Sequence, residues 1–230
     1  MNLVKLAFFL LPMYVFCQES GIKFFEGSWN DVCEKAKQEN KIIFVDAYAV
    51  WCGPCKWMAK NVFSNDTVAR FYNKNFINYK IDVDKGEGKI LAARYGAAAM
   101  PTYLFLNYKG EMIHRGLGAK QVVDFIKLGE KALNPIGCFA YWQNRYIKGE
   151  RHSSFMYRYL QESKEIGFDT KSIIEEYIKN VNHDSLYTYN NFFIIKEYIQ
   201  SINDSMFNFV LKNREKYYKI VGKKEVDEIF

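Results

Sequence analysis

The sequence predicts an α/β domain with a mixed central sheet and helices on both faces, followed by an all-α helical-hairpin region. Three observations carry that expectation. Strand-like apolar runs and helix-like spacings alternate at short intervals over residues 22–135. Two late runs, Thr102 to Asn107 and Met112 to Arg115, flank Tyr108-Lys109-Gly110, which is a hairpin signal. Beyond the breaker cluster Asn134-Pro135-Ile136-Gly137 the strand signal stops and only helical stripes remain.

The elements follow in order. Ile22 to Phe25 reads as a short strand. Ser28, with Asp31 three residues on, is a capping-box start for a helix to about Asn40. Ile42 to Tyr48 is apolar enough for a central buried strand. A helix then follows Cys52-Gly53-Pro54-Cys55, breaks near Ser64-Asn65, and continues as a second piece from Asp66 to Asn73. Phe76 to Val83 reads as a strand and Gly88 to Tyr95 as a short helix. After the hairpin, Gln121 to Leu133 places Val122, Phe125, Ile126 and Leu133 on one side of a helix. The order is β-α-β-α-β-α-β-β-α.

In the second region Phe139, Trp142 and Tyr146 form one stripe, and Phe155, Met156, Tyr159 and Leu160 another. Ile173 to Val181, Phe192 to Ile199, and a last helix from Phe207 complete about five helices in antiparallel succession. Ser153, Asp169-Thr170, Asp184-Ser185 and Asp204-Ser205 read as their caps. The chain stops at Ile229-Phe230 while still apolar, which reads as a helix interrupted there.

Composition bounds the function. With 230 residues, 49% hydrophobic and 25% charged, the chain suits one globular domain with an appendage. The net charge of +6 is spread among interspersed Lys, Asp and Glu, with no basic block, which argues against a nucleic-acid surface. Lys5 followed by the apolar stretch Leu6 to Phe16 has the form of a signal peptide and is too short to span a bilayer. Cleavage after Cys17 would leave Gln18 first, so the expected divisions are a signal peptide 1–17, an α/β domain 18–135 and a helical domain 136–230. The expected location is the periplasm of a Gram-negative bacterium. Lipid anchoring through Cys17 is the lesser alternative, because bulky Phe16 stands where a lipoprotein needs a small residue. Export leaves four cysteines, Cys33, Cys52, Cys55 and Cys138, in a compartment that permits disulfides. Cys33 shares a helix face with Trp29, Val32 and Ala36 and reads as a buried free thiol; Cys138 has no evident partner.

The chemistry concentrates in Trp51-Cys52-Gly53-Pro54-Cys55-Lys56. Two thiols three residues apart at a helix start can close a small disulfide ring, and the positive helix end lowers the pKa of the first. The same spacing could be half of a zinc site. Zinc requires four ligands, and no second Cys-x-x-Cys accompanies it, with His114, His152 and His183 scattered, so no metal is expected. Gly86-Glu87-Gly88 lacks the third glycine of a dinucleotide fingerprint and reads as a turn, and Asp82-x-Asp84 lacks the rest of a calcium loop.

Residues 22–133 resemble a thioredoxin domain, in particular the exported branch related to the C-terminal domain of bacterial thiol:disulfide interchange proteins. The resemblance rests on separated features. Trp51 to Lys56 is identical to the family's active-site run; Asp46, six residues before Cys52, matches its buried acid. Lys80 matches the lysine approaching that acid, Met100-Pro101-Thr102 the cis-proline turn, and Gly116 the glycine after the hairpin. The resemblance implies the thioredoxin fold and a role for each residue. Cys52 is the accessible nucleophile, and Cys55, more buried, the resolving thiol. Gly53 and Pro54 set the turn, proline suiting a first helical turn because it needs no donor there. Asp46 would accept the Cys55 proton, its pKa raised by burial, with Lys80 beside it. Pro101 would be cis, with the Met100 backbone and Thr102 offered to an extended substrate segment. Trp51 would cover one side of the sulfur pair, and Trp57 and Met58 would pack the helix. Lys60 departs from the pattern, standing where many cytosolic thioredoxins have a kinking proline, and predicts a straighter helix.

The resulting expectation is an exported thiol–disulfide oxidoreductase that reduces protein disulfides, with the Cys52–Cys55 pair as its redox centre and no other cofactor. An exported reductant needs electrons, which implies a membrane electron-donor protein as partner. A second reading makes the aromatic-rich region 136–230 a partner-docking module, with the α/β domain mainly its scaffold.

Overall fold

The computed structural model describes residues 21–199 and 201–230, so the expected signal peptide and Cys17 lie outside the described residues. Helix α1 (Trp29–Glu39) starts where Ser28 and Asp31 exchange bonds: the Asp31 N–H donates to Ser28 Oγ at 3.3 Å and the Ser28 N–H to Asp31 Oδ2 at 2.9 Å. It ends at Asn40, left-handed at φ 49°. The next strand, β1 (Ile42–Tyr48), has the bounds its apolar run predicts. It lies parallel to β2 (Phe76–Asp82) and antiparallel to β3 (Thr102–Leu106), and β4 (Met112–Leu117) completes the order β2-β1-β3-β4.

Being central, β1 buries both faces. Ile43, Val45 and Ala47 pack with Ile81 and Leu104 beneath Trp29, Val32 and Ala36 of α1 and Leu91 of α4 (Gly86–Arg94). On the other face Phe44 meets Tyr72 of α3 (Asp66–Asn75) and Phe125 of α5 (Val122–Leu133), with Tyr103 and Phe105 of β3. The Tyr72 and Phe125 rings stack at 4.4 Å, and the Tyr72 hydroxyl donates to the Phe125 carbonyl at 2.7 Å. Gly116 lets α5 close on β4, since a β-carbon there would lie 2.5 Å from the Leu128 side chain.

Three expectations change here. Ile22 to Phe25 forms no strand: the Ile22 N–H goes to the Phe63 carbonyl and the Phe25 N–H to the Asn78 carbonyl, while Asn73 Oδ1 takes the Lys23 N–H. A side chain thus replaces the ladder. The helix after the cysteines is not straight either. Helix α2 (Gly53–Met58) widens into a π turn over Ala59–Phe63 before α3. Ser64 Oγ donates to the Lys60 carbonyl at 2.6 Å and Asn61 Nδ2 to the Trp57 carbonyl at 2.8 Å, satisfying carbonyls the wider turn leaves. Gly86 and Gly88 open α4 rather than forming a separate turn.

Among the described residues the second region holds seven α-helices where the stripes suggest about five. They are α6 (Phe139–Ile147), α7 (Ser153–Glu165), α8 (Lys171–Asn180), α9 (Tyr189–Tyr198), α10 (Ser205–Lys212), α11 (Arg214–Val221) and α12 (Lys223–Asp227). The expected last helix is cut at Asn213 and at Gly222, whose φ is 89°. Two caps also move. His152, not Ser153, starts α7 by accepting the Phe155 N–H at Nδ1; Asp184-Ser185 lies inside a 3-10 turn, and Thr188 caps α9. Asp169-Thr170 and Asp204 stand where expected.

The helices dock on β4, the edge strand, and so shield it from stray pairing. The Phe139 N–H donates to buried His114 Nδ1 at 3.3 Å. Lys131 of α5 pairs at 2.7 Å with both Glu162 and Glu165 of α7, and Arg158 reaches Glu162 at 2.7 Å. Met112 packs against both the sheet core and the core around Phe139, Phe155 and Tyr159. Among the described residues no helix is long and apolar enough to cross a membrane.

Candidate active site

The turn after β1 is fixed by the Cys52 N–H donating to the Ala49 carbonyl at 3.0 Å. Cys52 is therefore the cap of α2, and its sulfur accepts the Cys55 N–H at 3.1 Å. Pro54 sits in the first helical turn, where no donor is missed. Cys52 and Cys55 are joined as a disulfide with their α-carbons 5.3 Å apart. Cys33 and Cys138 are free thiols, Cys138 buried as a core residue but Cys33 only half-buried, on the flank of its helix stripe. Among the described residues no group of three His, Cys, Asp or Glu is arranged to hold a metal ion.

The accessibility of the two sulfurs differs from expectation. Cys52 is only 3% exposed and Cys55 6%, so the first cysteine is no more open than the second. Tyr48, Val83 and Met100 pack against Ala49 and the pair. Trp51 is 65% exposed, and its indole N–H donates to Asp84 Oδ2 at 2.7 Å, which ties the ring to the segment after β2. Trp57 is exposed as well, whereas Met58 is buried as expected, its sulfur taking the Lys120 N–H at 3.2 Å.

Asp46, Cys55 and Lys80 line one cleft of about 380 Å³ with Phe24, Tyr48 and Phe63. Asp46 is buried on β1, opposite Lys80 on β2 and Tyr103 on β3, and its Oδ1 has no hydrogen-bond partner. Burial pushes its pKa up to about 7, against a smaller opposing pull from the Lys80 charge. Lys80 stops short of an ion pair: its ammonium lies 5.6 Å from the Phe24 ring centre and 5.5 Å from that of Tyr48.

The third segment is the turn before β3. The Met100–Pro101 bond is cis, the Gly118 N–H donates to the Pro101 carbonyl at 2.9 Å, and Thr102 Oγ1 donates to the Ala99 carbonyl at 2.5 Å. Gly53 faces open space, with nothing within 4 Å of where its β-carbon would be. Sequence reasoning missed Tyr103. It is fully buried, its hydroxyl has no partner, and burial with the nearby Asp46 charge raises its pKa. Only the β1–β3 register brings it opposite Asp46, and no local pattern in the sequence encodes that register.

Comparison with known proteins agrees with this geometry. A family model described as thioredoxin-like matches residues 25–107. Thioredoxin H4 of Arabidopsis thaliana is 38% identical over 93 residues, covering 40% of this chain and 73% of that protein. Two solved structures are also similar. A Bacteroides thetaiotaomicron protein provisionally named a disulphide-isomerase is 40% identical, covers 51% of this chain and 98% of its own, and superposes with a TM-score of 0.47. The oxidised DsbD C-terminal domain of Neisseria meningitidis is 23% identical over 44% of this chain and 90% of its own, with a TM-score of 0.39. The chain belongs to the thioredoxin family, and its α/β part is a thioredoxin-like thiol–disulfide oxidoreductase fold carrying the Cys52–Cys55 pair.

Proposed function

We propose that this protein reduces disulfides in other proteins. The observation that carries the reading is the placement of Cys55, Asp46 and Lys80 on one cleft behind a disulfide that caps a helix. In the reduced state the Cys52 thiolate, favoured by the helix start and the Cys55 N–H, attacks one sulfur of the substrate disulfide. The first substrate thiolate leaves and a mixed disulfide forms. Cys55 then gives its proton to the Asp46 carboxylate, attacks Cys52 Sγ and releases the second substrate sulfur as a thiolate, to which Asp46 can return the proton. Two electrons pass from the Cys52/Cys55 dithiol to the substrate, and the internal disulfide is restored. An acid with its pKa near 7 suits that proton transfer around neutral pH. Lys80 at the cleft mouth favours the charged form of Asp46. The substrate lies as an extended segment on Met100-Pro101-Thr102, with Gly53 leaving room above the sulfurs and Trp51, Gly53 and Pro54 on its other side.

The apolar segment Leu6 to Phe16 behind Lys5 supports export, and hence work in the periplasm. There the oxidised pair must be re-reduced, which calls for a membrane protein that passes electrons to it. The test is insulin reduction by the full chain with dithiothreitol as electron source. Activity should vanish in Cys52→Ser, and Cys55→Ser should accumulate mixed disulfides with substrate. Equal activity of Cys52→Ser and the wild type would exclude the mechanism.

A further inference from the structure

The helical region reaches the catalytic end of the sheet at one turn. Helix α7 ends with Gly167 left-handed at φ 72°, its N–H on the Lys164 carbonyl at 2.9 Å and the Phe168 N–H on the Ser163 carbonyl at 2.8 Å. This is a helix ending that glycine makes accessible. It brings Gly167 so close to β4 that a β-carbon would lie 2.3 Å from Leu117 Cδ1. Leu117 stands opposite Thr102 in the β3–β4 ladder, and the following residue, Gly118, is bonded to the Pro101 carbonyl. Contacts therefore run without a break from the cis-proline turn through Gly118 and Leu117 to Gly167. From β1, which leads into Cys52, to β4 is two inter-strand steps, about 10 Å.

Two further observations indicate what would lie along that line. Among the described residues, neither backbone polar group of Met100 has a hydrogen-bond partner, although Met100 packs against the sulfur pair. A free donor and acceptor on one residue beside the reacting atoms suit an extended polypeptide. Phe168, at the far end, is 39% exposed while its ring rests on buried Phe139 at 5.6 Å. It is an apolar surface held in place before any partner arrives, which lowers the ordering cost of contact.

We propose that Phe168 is a specificity wall for the substrate. An extended chain lying on Met100-Pro101 passes Gly118 and Leu117 and sets an apolar side chain, about four residues from its disulfide cysteine, against the Phe168 ring. The inference rests on the reductase reading above and gives the helical region a part in choosing what is reduced. The electron balance is unchanged: the dithiol loses two electrons and two protons, the substrate S–S bond breaks to two thiols, and the Cys52–Cys55 bond forms.

The test uses the full chain, reduced with dithiothreitol and freed of it, against short peptides whose single cysteine is a mixed disulfide with glutathione. Each peptide pair differs only in Leu or Asp at about four residues from the cysteine, on one side or the other. On one side the wild type should reduce the Leu peptide faster by about five-fold or more, the range a single apolar contact supplies. Phe168→Lys should turn that preference toward the Asp peptide, and Phe168→Ala should level it. Because each ratio is taken within one protein, partial misfolding cannot mimic a reversal. Equal wild-type rates on both peptides, or an unchanged preference in Phe168→Lys, would overturn the proposal while leaving insulin reduction intact. Failure of the wild type on insulin and peptides alike would remove the reductase reading, and this one with it.

Discussion

Acid should loosen the joint between the sheet and the helices, and His114 sets how much. The imidazole is fully buried and accepts the Phe139 N–H through Nδ1, while Nε2 has no partner. Burial, assisted by the Lys131 and Lys120 charges and opposed by Glu165, lowers its pKa from 6.5 to about 4. In the folded chain His114 thus stays neutral at a pH where the unfolded chain already binds a proton. The sign follows: the stability linked to His114 is complete above pH 6.5 and is lost as the pH falls toward about 4. At about 1.4 kcal/mol per pH unit, the loss between pH 7 and pH 4.5 is about 2 kcal/mol. That is a large share of a typical stability of about 5–15 kcal/mol. His114→Asn keeps a nearby acceptor for the Phe139 N–H and removes the titration. Urea unfolding of both full chains at the two pH values isolates the effect, since other titrating groups cancel in the difference. The wild type should lose about 2 kcal/mol more than the variant on acidification. Parallel losses in the two proteins would refute the reasoning.

Asp46 gives the opposite pH dependence. Its folded pKa of about 7 lies above the ordinary 3.8, so its stabilising contribution is complete below 3.8 and lost as the pH rises through 7. Asp46→Asn should therefore gain stability over the wild type at pH 8.5, by up to about 4 kcal/mol, less whatever the buried amide forfeits in unmade bonds. The same variant should slow mixed-disulfide release at neutral pH more than mixed-disulfide formation, as read by rapid quenching; equal slowing of both steps would count against the proton-acceptor role. Gly116→Ala, which drives a methyl group into Leu128, should cost about 1–3 kcal/mol in urea unfolding. Combined with Leu128→Ala, the double variant should be more stable than the two single losses added together, and strict additivity would disprove the clash.

Local signals make much of this legible in the sequence alone. β1 could be bounded to the residue because a continuous apolar run sits between polar Lys41 and the active-site turn, and a central strand has no solvent face to blur the pattern. Asp46 stood out as the one acid within that run. The features that escaped depend on pairing between distant segments. Tyr103 meets Asp46 only through the antiparallel register, and the cover over the sulfurs is assembled from Tyr48, Val83 and Met100 in three separate stretches. The anchor of the Trp51 ring, Asp84, likewise lies thirty-three residues on, beyond the reach of any local pattern. In the helical region the apolar stripe runs on through Asn213 and Gly222, so periodicity alone could not show where backbone conformation breaks the last helix into three.

The shielding of the sulfur pair bears on how electrons are rationed. With 3% and 6% of the two cysteines open, the joined pair offers little surface to a molecule that does not dock beside it. A protein that can pair with Met100 while displacing the cover of Val83 and Tyr48 meets no such obstacle. Traffic through the pair is then governed by recognition at that cover, ahead of the redox poise of the surroundings. A redox pair screened in this way answers first to the partners that fit it.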